Sequence, residues 1–220
     1  MIKIENTSIY GFEAAIRGMR NPKNSWDKSD STFIEDSPIL GPNDLKLATT
    51  LANAGEDHGK FMRMITVTCD ITAPLYWWKE MDTYKVGTVA DSCSTMHKIA
   101  DKPFTLDDFS HEHLFLNPVQ VTWDNQDYSD SPLECLYDTV AMLNTCRDKY
   151  IETHAKEYWW QLIQLLPSSY NQRRTWMGNY QVLKRIYYAR KDHKLDEWHD
   201  FCNRITTLPY AKELMGIGNA

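Results

Sequence analysis

Long hydrophobic runs are missing from this sequence. No segment reaches the roughly 18 consecutive apolar residues of a membrane-spanning helix, and the opening MIKIENTSIYGFEAAIRGMR lacks the apolar run of a signal peptide. A membrane partner and a secretory route are therefore not expected. The sequence predicts a cytoplasmic protein.

The cysteines follow no pairing pattern. The five cysteines form an odd set without a C-x-x-C pair: Cys69, Cys93, Cys135, Cys146 and Cys202. This pattern argues against a disulfide framework and against a cysteine zinc site. We expect reduced thiols that lie mostly in the core.

Excess positive charge is also missing. Against 30 Asp and Glu the chain has 24 Lys and Arg, which gives a net charge of −6. A long nucleic acid is therefore not an expected partner, and any phosphate-binding site must be local. The 12 Tyr and 8 Trp suit either a ring-binding pocket or aromatic packing, and composition does not choose between them.

Hydrophobic periodicity predicts an α+β fold with a small antiparallel or mixed sheet and a helical C-terminal half. With 220 residues and 42% hydrophobic content, one core and a single domain over residues 1–220 are expected. Strands are predicted at 2–9, 64–71 and 119–123. Helices are predicted at 12–20, from a cap at Asn43 or Asp44 onward, at 179–191 and at 195–206, and 21–42 is predicted to be a long loop.

One long helix is predicted between Ser131 and Pro167. Ser131 suits the N-cap, Pro132 the first helical position and Glu134 the reciprocal position of a capping box. Apolar residues then recur at helical spacing until Pro167. An uninterrupted helix would be roughly 50 Å long and could form a spine or an oligomer interface.

The stretch VADSCSTMHKI, residues 89–99, holds a thiol, hydroxyls, a carboxylate and an imidazole. In a helix Cys93 and His97 would share a face, which could pair a nucleophile with its base. The alternative is that Cys93 only packs in the core.

A histidine pair, His111 and His113, lies in SHEHLF with Glu112 between the two. Their spacing places both imidazoles on one face only in a strand. Because no third ligand stands nearby, a solvated or hydrogen-bonded pair is expected and no metal site is predicted.

Residues 165–190 carry the most informative spacing. Asn179 and Arg190 are eleven residues apart, close to three helical turns, with Leu183 between them on the same face. Upstream, Arg173 and Arg174 precede Trp176 in a predicted loop, where they could offer forked donors to a phosphate. The alternative is a surface helix with solvated arginines.

This segment resembles the flavin-dependent thymidylate synthases, the ThyX family. Their Leu-Pro, the Asn twelve residues after the proline and the Arg eleven residues further on are matched by Leu166-Pro167, Asn179 and Arg190. Upstream, His58 and Phe61 match a Gly-His to Phe stretch that leads into a strand. The helix FEAAIRGMR resembles the family's first helix, so the likeness runs along most of the chain.

The family has an Arg-His-Arg motif that is followed eight residues later by Ser, and this sequence departs from the family at that motif. Ser94 can stand for this serine, but no Arg-His-Arg precedes it, and Lys85 is the nearest cation. The arginine two residues after the serine is replaced by Met96, and the following tyrosine by His97. Ile163 stands in place of a further arginine before the proline.

The resemblance implies reductive methylation of dUMP, or of a related pyrimidine deoxynucleotide, with FAD, methylenetetrahydrofolate and NADPH, in a homotetramer. Under that reading VADSCSTMHKI is a ligand-binding loop and helix start. The implied catalytic residues are Ser94 and His97; the cofactor-binding residues are His58, Lys85, Asn179, Leu183 and Arg190; the substrate-binding residues are Ser94, Arg173, Arg174 and Arg190. The missing arginines leave open an altered substrate, a lost activity, or a non-catalytic binding protein on the same scaffold.

Overall fold

The computed structural model describes residues 2–34 and 37–218. Its helices and strands, in chain order, are β1 (Lys3–Tyr10), α1 (Phe12–Arg20), β2 (Thr32–Ile34), β3 (Ser37–Ile39), α2 (Pro42–Asn53), β4 (Thr66–Pro74), α3 (Leu75–Met81), β5 (Val89–Ser92), α4 (Thr95–Lys98), β6 (Val119–Trp123), β7 (Gln126–Asp130), α5 (Pro132–Thr153), α6 (Lys156–Leu165), β8 (Asn171–Asn179), α7 (Tyr180–Arg190), α8 (Asp196–Thr206) and α9 (Ala211–Met215). Short 3₁₀ turns lie at 21–23, 26–28, 59–64 and 106–108. The predicted α+β class with a helix-rich C-terminal half is confirmed.

Strands β1, β4, β8 and β5 form a four-stranded sheet in that order. The hairpins β2–β3 and β6–β7 are antiparallel. In β4 the side chains of Val67, Cys69 and Ile71 are buried and alternate with more exposed neighbours, which is the predicted half-buried pattern. The predicted strands at 2–9 and 119–123 correspond to β1 and β6.

The first helix also follows its sequence pattern. The buried side chains of α1 include Phe12, Ala15, Ile16 and Met19, the four apolar positions that predicted it. Helices α7 and α8 lie where the sequence places them, within one or two residues at each end.

The segment from 21 to 42 was predicted to be a loop, and that prediction is wrong in part. The segment contains two 3₁₀ turns and the hairpin β2–β3, and its residues 35 and 36 lie outside the described ranges. The predicted cap of α2 is also wrong, because Gly41 is the N-cap and Pro42 the first helical residue. Asp30 supplies the capping carboxylate instead and accepts hydrogen bonds from the main-chain N–H groups of Asn43 and Asp44.

The single long helix predicted from Ser131 is interrupted. α5 ends at Thr153, His154 adopts a left-handed conformation with φ 54°, and Ala155 is extended before α6 begins. Periodicity did not reveal this break because Leu143 of α5 and Leu162 of α6 pack in the same core, so the apolar spacing continues across it. The predicted cap is confirmed: the Ser131 hydroxyl accepts a hydrogen bond from the Glu134 N–H.

Two compact units are found in the chain. One comprises Thr72–Lys79 and Ser92–Arg173; the other comprises Ile2–Ile71, Glu80–Asp91 and the residues from Arg174 onward. We refer to them as the hairpin unit and the α7 unit. The single domain over residues 1–220 stays a prediction.

Each unit has buried apolar side chains of its own. The core of the hairpin unit contains Ile99, Phe104, Phe109, Leu136, Leu143, Cys146 and Leu162. Fully buried large side chains of the α7 unit include Ile16, Met62, Ile65, Ile71, Tyr180, Leu183 and Trp198. Among the described residues, no helix is both long enough and apolar enough to cross a membrane.

Candidate functional site

Asn179 joins β8 to α7. Its side-chain Oδ1 accepts a hydrogen bond from the Val182 N–H at 3.0 Å, so the residue caps α7. A Cβ at Gly87 would lie 2.7 Å from Asn179 Nδ2, and Gly87 has φ +79°. Only glycine adopts that backbone without strain and leaves room for the amide, so the loop before β5 closes tightly onto Asn179.

Arg190, at the other end of α7, lies in a network of internal partners. Its Nε donates to Tyr84 Oη at 2.9 Å and its Nη1 to Glu80 Oε2 at 2.8 Å. Its guanidinium carbon lies 4.9 Å from the Trp198 ring centroid, a cation–π distance. Trp198 Nε1 also donates to Glu80 Oε2, and His193 Nε2 lies 3.4 Å from that oxygen. The guanidinium is thus held in one orientation, and its remaining N–H groups donate no hydrogen bond within the described residues.

Lys85 and Arg174 border a cavity of about 430 Å³ in the α7 unit. Its lining consists of Met81, Asp82, Tyr84, Lys85, Thr88, Ala90, Arg174 and Trp176. Arg174 Nη1 donates to Asp82 Oδ1 at 2.8 Å, whereas Lys85 is exposed. This cavity brings two of the predicted phosphate-binding residues together, one with an internal carboxylate partner.

The side chain of Leu183 lies in the core. It is 2% exposed and lines a small gap of about 20 Å³ together with Trp176 and Phe201. Leu183 therefore shapes the packing of α7, and the structure gives it no open surface to present to a ligand.

His58 lies on a different cavity of the α7 unit. This cavity of about 690 Å³ has Phe61, Leu51 and Met19 in its wall, with Lys60 and Asp57 near His58. Its volume is within the 300–1,000 Å³ usual for small-molecule pockets.

Ser94, His97 and Cys93 belong to the hairpin unit. The Ser94 side chain caps α4 and accepts a hydrogen bond from the His97 main-chain N–H at 3.1 Å. Cys93 precedes this cap, so it does not share a helical face with His97, and the thiol–imidazole pair predicted for a helix is not formed. The main chain of Cys93 bonds to β8 instead, to Arg173 O and to the Gln172 side chain.

Arg173 and Arg174 were predicted to lie in a loop, and that prediction is wrong. Both are in β8, which runs from Asn171 to Asn179. Because side chains alternate along a strand, adjacent arginines point to opposite faces. Their guanidinium groups therefore leave the strand on opposite faces, and their role in phosphate binding stays a prediction.

The histidine pair in SHEHLF has a hydrogen-bonding role at its first member, where His111 Nδ1 lies 2.8 Å from Phe109 O. Within residues 2–34 and 37–218, no cluster of three or more His, Cys, Asp or Glu side chains is placed to hold a metal ion.

Three of the five cysteines are buried: Cys69, Cys146 and Cys202. Burial raises the pKa of Cys69 to about 12 and that of Cys202 to about 11. Both thiols remain protonated at neutral pH and are therefore poor nucleophiles. The prediction that the cysteines lie mostly in the core holds for these three, and Cys93 and Cys135 are exposed.

One cavity was not anticipated from the sequence. In the hairpin unit, a cavity of about 410 Å³ is lined by Met96, His97, Tyr150, His154, Lys156 and Trp159. Only His97 of this set was a predicted site residue. The residues on both sides of the break after α5 form part of the wall of this cavity. The sequence pattern predicts one uninterrupted helix there and therefore did not indicate a cavity.

Comparison with known proteins gave matches only among solved structures; no family model and no curated protein sequence matches the chain. Thymidylate synthase X (ThyX) from Helicobacter pylori with FAD and dUMP aligns with a TM-score of 0.68 and 15% identity, covering 98% of this chain and 97% of that one. A second structure of the same enzyme, also with FAD and dUMP, gives 0.66 and 16%, with 97% of each chain covered. The UMP/dUMP methylase PolB from Streptomyces cacaoi, bound with 5-Br dUMP, gives 0.62 and 12%, covering 100% of this chain and 95% of that one. At these identities the likeness establishes the fold, and this chain has a ThyX-like fold.

Proposed function

We propose that this chain is a ThyX-like flavoprotein that reductively methylates dUMP or a related pyrimidine deoxynucleotide, using methylenetetrahydrofolate and NADPH. The observation that carries the proposal is the length of the fold match. Two structures with FAD and dUMP align over 97% of their own chains and over 98% and 97% of this one. A match over both whole chains leaves little room for an unrelated architecture, although a shared fold does not itself fix an activity.

The side chains of the α7 unit fit a phosphate-bearing cofactor. Lys85 is an exposed ammonium on the 430 Å³ cavity, and Arg174 lines the same cavity. Arg190 is held by Glu80 and Tyr84 through two of its nitrogens. An arginine fixed by internal partners can direct its other N–H groups at an anion with little further loss of side-chain entropy.

In this proposal, FAD when bound would supply the hydride chemistry, and the protein supplies binding, orientation and electrostatics. Lys85, Arg174 and Arg190 would hold phosphate groups of the cofactor. Asn179 would hold the N-terminus of α7 in place. Ser94, His97 and Arg173 are assigned to the nucleotide, and His58 to the surroundings of the flavin.

A homotetramer is part of the proposal. Apolar side chains on the outer surface of α5 and α6 support it, since Tyr137, Met142, Ile151, Trp160 and Leu165 are each at least 40% exposed. Such a surface is usual at subunit interfaces. Light scattering coupled to size-exclusion chromatography would give the mass directly, for comparison with the 25.7 kDa chain.

A non-catalytic nucleotide-binding scaffold is the second candidate. It is favoured by the ion pair between Arg174 and Asp82, which partly neutralises the cavity, and by the absence of an Arg-His-Arg from the sequence. Both features reduce the positive charge available for a dinucleotide.

The deciding experiment is an absorbance spectrum between about 350 and 500 nm, with and without added FAD, followed by a tritium-release assay on 5-tritiated dUMP. We expect flavin bands and release that requires methylenetetrahydrofolate and NADPH. Lys85→Gln should weaken FAD binding about tenfold, whereas Lys46→Gln, which removes an exposed lysine of α2, should not. A protein that ignores excess FAD would favour the scaffold.

A further inference from the structure

The cavity at the break between α5 and α6 combines cationic and aromatic side chains. Lys156, His97 and His154 line it together with Tyr150, Trp159 and Met96. None of these six residues is acidic. We propose that this cavity binds the phosphate and the ring of a nucleoside monophosphate, with Lys156, His154 and His97 as the phosphate donors.

Two of the carboxylates near this cavity in sequence are held by other cations, and a third, Glu157, is exposed in the first turn of α6 and does not line the cavity. Glu152 accepts from Lys149 at 2.8 Å, and Asp101 pairs with Lys98 at 2.9 Å. Within residues 2–34 and 37–218 Lys156 pairs with no carboxylate, and its Nζ lies 5.6 Å from the Trp160 ring centroid. The positive charge of Lys156 is therefore left for an anion instead of being neutralised within the chain.

The backbone at the break adds to the attraction for an anion. α6 is ten residues long and begins at Lys156, directly after Ala155 as N-cap. A methyl group accepts no hydrogen bond, so no side chain of the N-cap satisfies the first N–H groups of α6. The positive end of the helix dipole is thus placed at the same cavity as the three cationic or imidazole side chains.

Aromatic walls suit the ring of the ligand. The Trp159 indole is fixed by a hydrogen bond from Nε1 to Met96 O at 3.2 Å. The Tyr150 and His154 rings lie edge to face with centroids 6.4 Å apart. A volume of about 410 Å³ is within the small-molecule range, and stacking on fixed aromatic rings contributes to base binding.

This inference rests on the proposed function for the choice of a pyrimidine deoxynucleotide, and it assigns the phosphate to residues particular to this chain. The test is calorimetric titration of the full chain with dUMP, with deoxyuridine and with inorganic phosphate, in the absence of flavin. We expect dUMP to bind at least about tenfold more tightly than deoxyuridine, because a charged hydrogen bond is lost with the phosphate. Equal affinities would overturn the assignment of a phosphate site.

Variants locate the site. Lys156→Gln and His154→Asn should each weaken dUMP binding about tenfold, and asparagine tolerates the left-handed backbone at position 154. Lys46→Gln, which removes an exposed lysine of α2 that does not line this cavity, should leave the affinity unchanged. Trp159→Phe should abolish any tryptophan fluorescence change that dUMP causes. Circular dichroism melting of each variant establishes that it is folded.

The two proposals fail in different ways. If FAD binds and dUMP is methylated but Lys156→Gln keeps the wild-type KM for dUMP, the cavity assignment is wrong and the proposed function stands. If no FAD binds but dUMP affinity depends on Lys156, the cavity assignment stands and the chain is a nucleotide-binding scaffold. If dUMP does not bind in any form of the protein, the cavity assignment is wrong.

Discussion

Arg190 at the end of α7 and Glu80 in α3 form an ion pair, with Nη1 donating to Oε2 over 2.8 Å. The two side chains are 19% and 33% exposed. The same carboxylate oxygen accepts from Trp198 Nε1. This carboxylate oxygen thus orients an arginine that the proposed function assigns to a ligand. We therefore expect a change at either residue to alter stability and, under the proposed function, ligand binding.

Replacing Arg190 by alanine should destabilise the protein by about 1–3 kcal/mol, because Glu80 would keep a partly buried charge without its guanidinium partner. Arg185→Ala on the exposed part of the same helix is the matched control and should change stability by less than about 0.5 kcal/mol. Urea unfolding followed by circular dichroism measures both. Equal effects of the two substitutions would mean that the ion pair contributes nothing measurable.

Gly87 should resist substitution because of its contact with Asn179. Gly87→Ala places a Cβ 2.7 Å from Asn179 Nδ2 at a residue with φ +79°, and we expect a loss of about 1–3 kcal/mol. Gly55 also has a positive φ, of +104°, but no atom lies within 4 Å of a Cβ built there. Gly55→Ala therefore introduces backbone strain but no steric clash. If it lowers the free energy of unfolding as much as Gly87→Ala does, the contact with Asn179 is unimportant.

The parts of the fold that the sequence predicted are those determined by local periodicity. The buried faces of α1 and β4, and the Ser131 cap of α5, follow from apolar spacing and capping chemistry alone. The break at His154 does not, because a left-handed residue leaves no trace in a hydrophobic pattern that continues on both sides. Local sequence signals therefore predicted the helices and strands, but they did not predict where the one long helical pattern divides into α5 and α6.

The candidate site was predicted less well because its partners are distant in sequence. Arg190 was named from its spacing to Asn179, but Glu80 is 110 residues away and no motif connects the two. Arg173 and Arg174 are predicted to lie in a loop, since two adjacent arginines give no sign of the strand that contains them. Long-range pairing is a property of the tertiary structure, which no single spacing encodes.

Asp44 predicts a dependence of stability on pH. Burial alone would raise the pKa of its carboxyl, but hydrogen bonds from Ser31, Ser29 and Arg20 outweigh burial and hold the pKa below its ordinary value of 3.8. A carboxyl with a lowered pKa in the folded state stabilises the protein above pH 3.8, and this contribution is lost as the pH falls through the lowered pKa. Acid should therefore destabilise the protein partly through Asp44.

The substitution Asp44→Asn isolates this effect. At pH 7 it should lower the free energy of unfolding by about 3 kcal/mol, because the buried Arg20 would lose its carboxylate partner. The gap between the variant and the wild type should shrink as the pH falls below 3.8. Thermal melts from pH 7 to pH 2 measure this, with the exposed Asp27→Asn as control. A gap that stays constant down to pH 2 would contradict the role given to Asp44.

Thiol labelling tests whether Cys93 has a chemical role. Cys93 and Cys135 are exposed, whereas Cys69, Cys146 and Cys202 are buried. Since burial also raises the pKa of Cys69 to about 12, a disulfide reagent should modify two thiols in the native protein and the remaining three only after unfolding. Cys93→Ser should remove one of the two reactions seen in the native protein and leave FAD binding and dUMP methylation unchanged, because no imidazole shares a helical face with this thiol. Cys135→Ser is the matched control. Loss of methylation in Cys93→Ser but not in Cys135→Ser would mean that the Cys93 thiol takes part in the reaction.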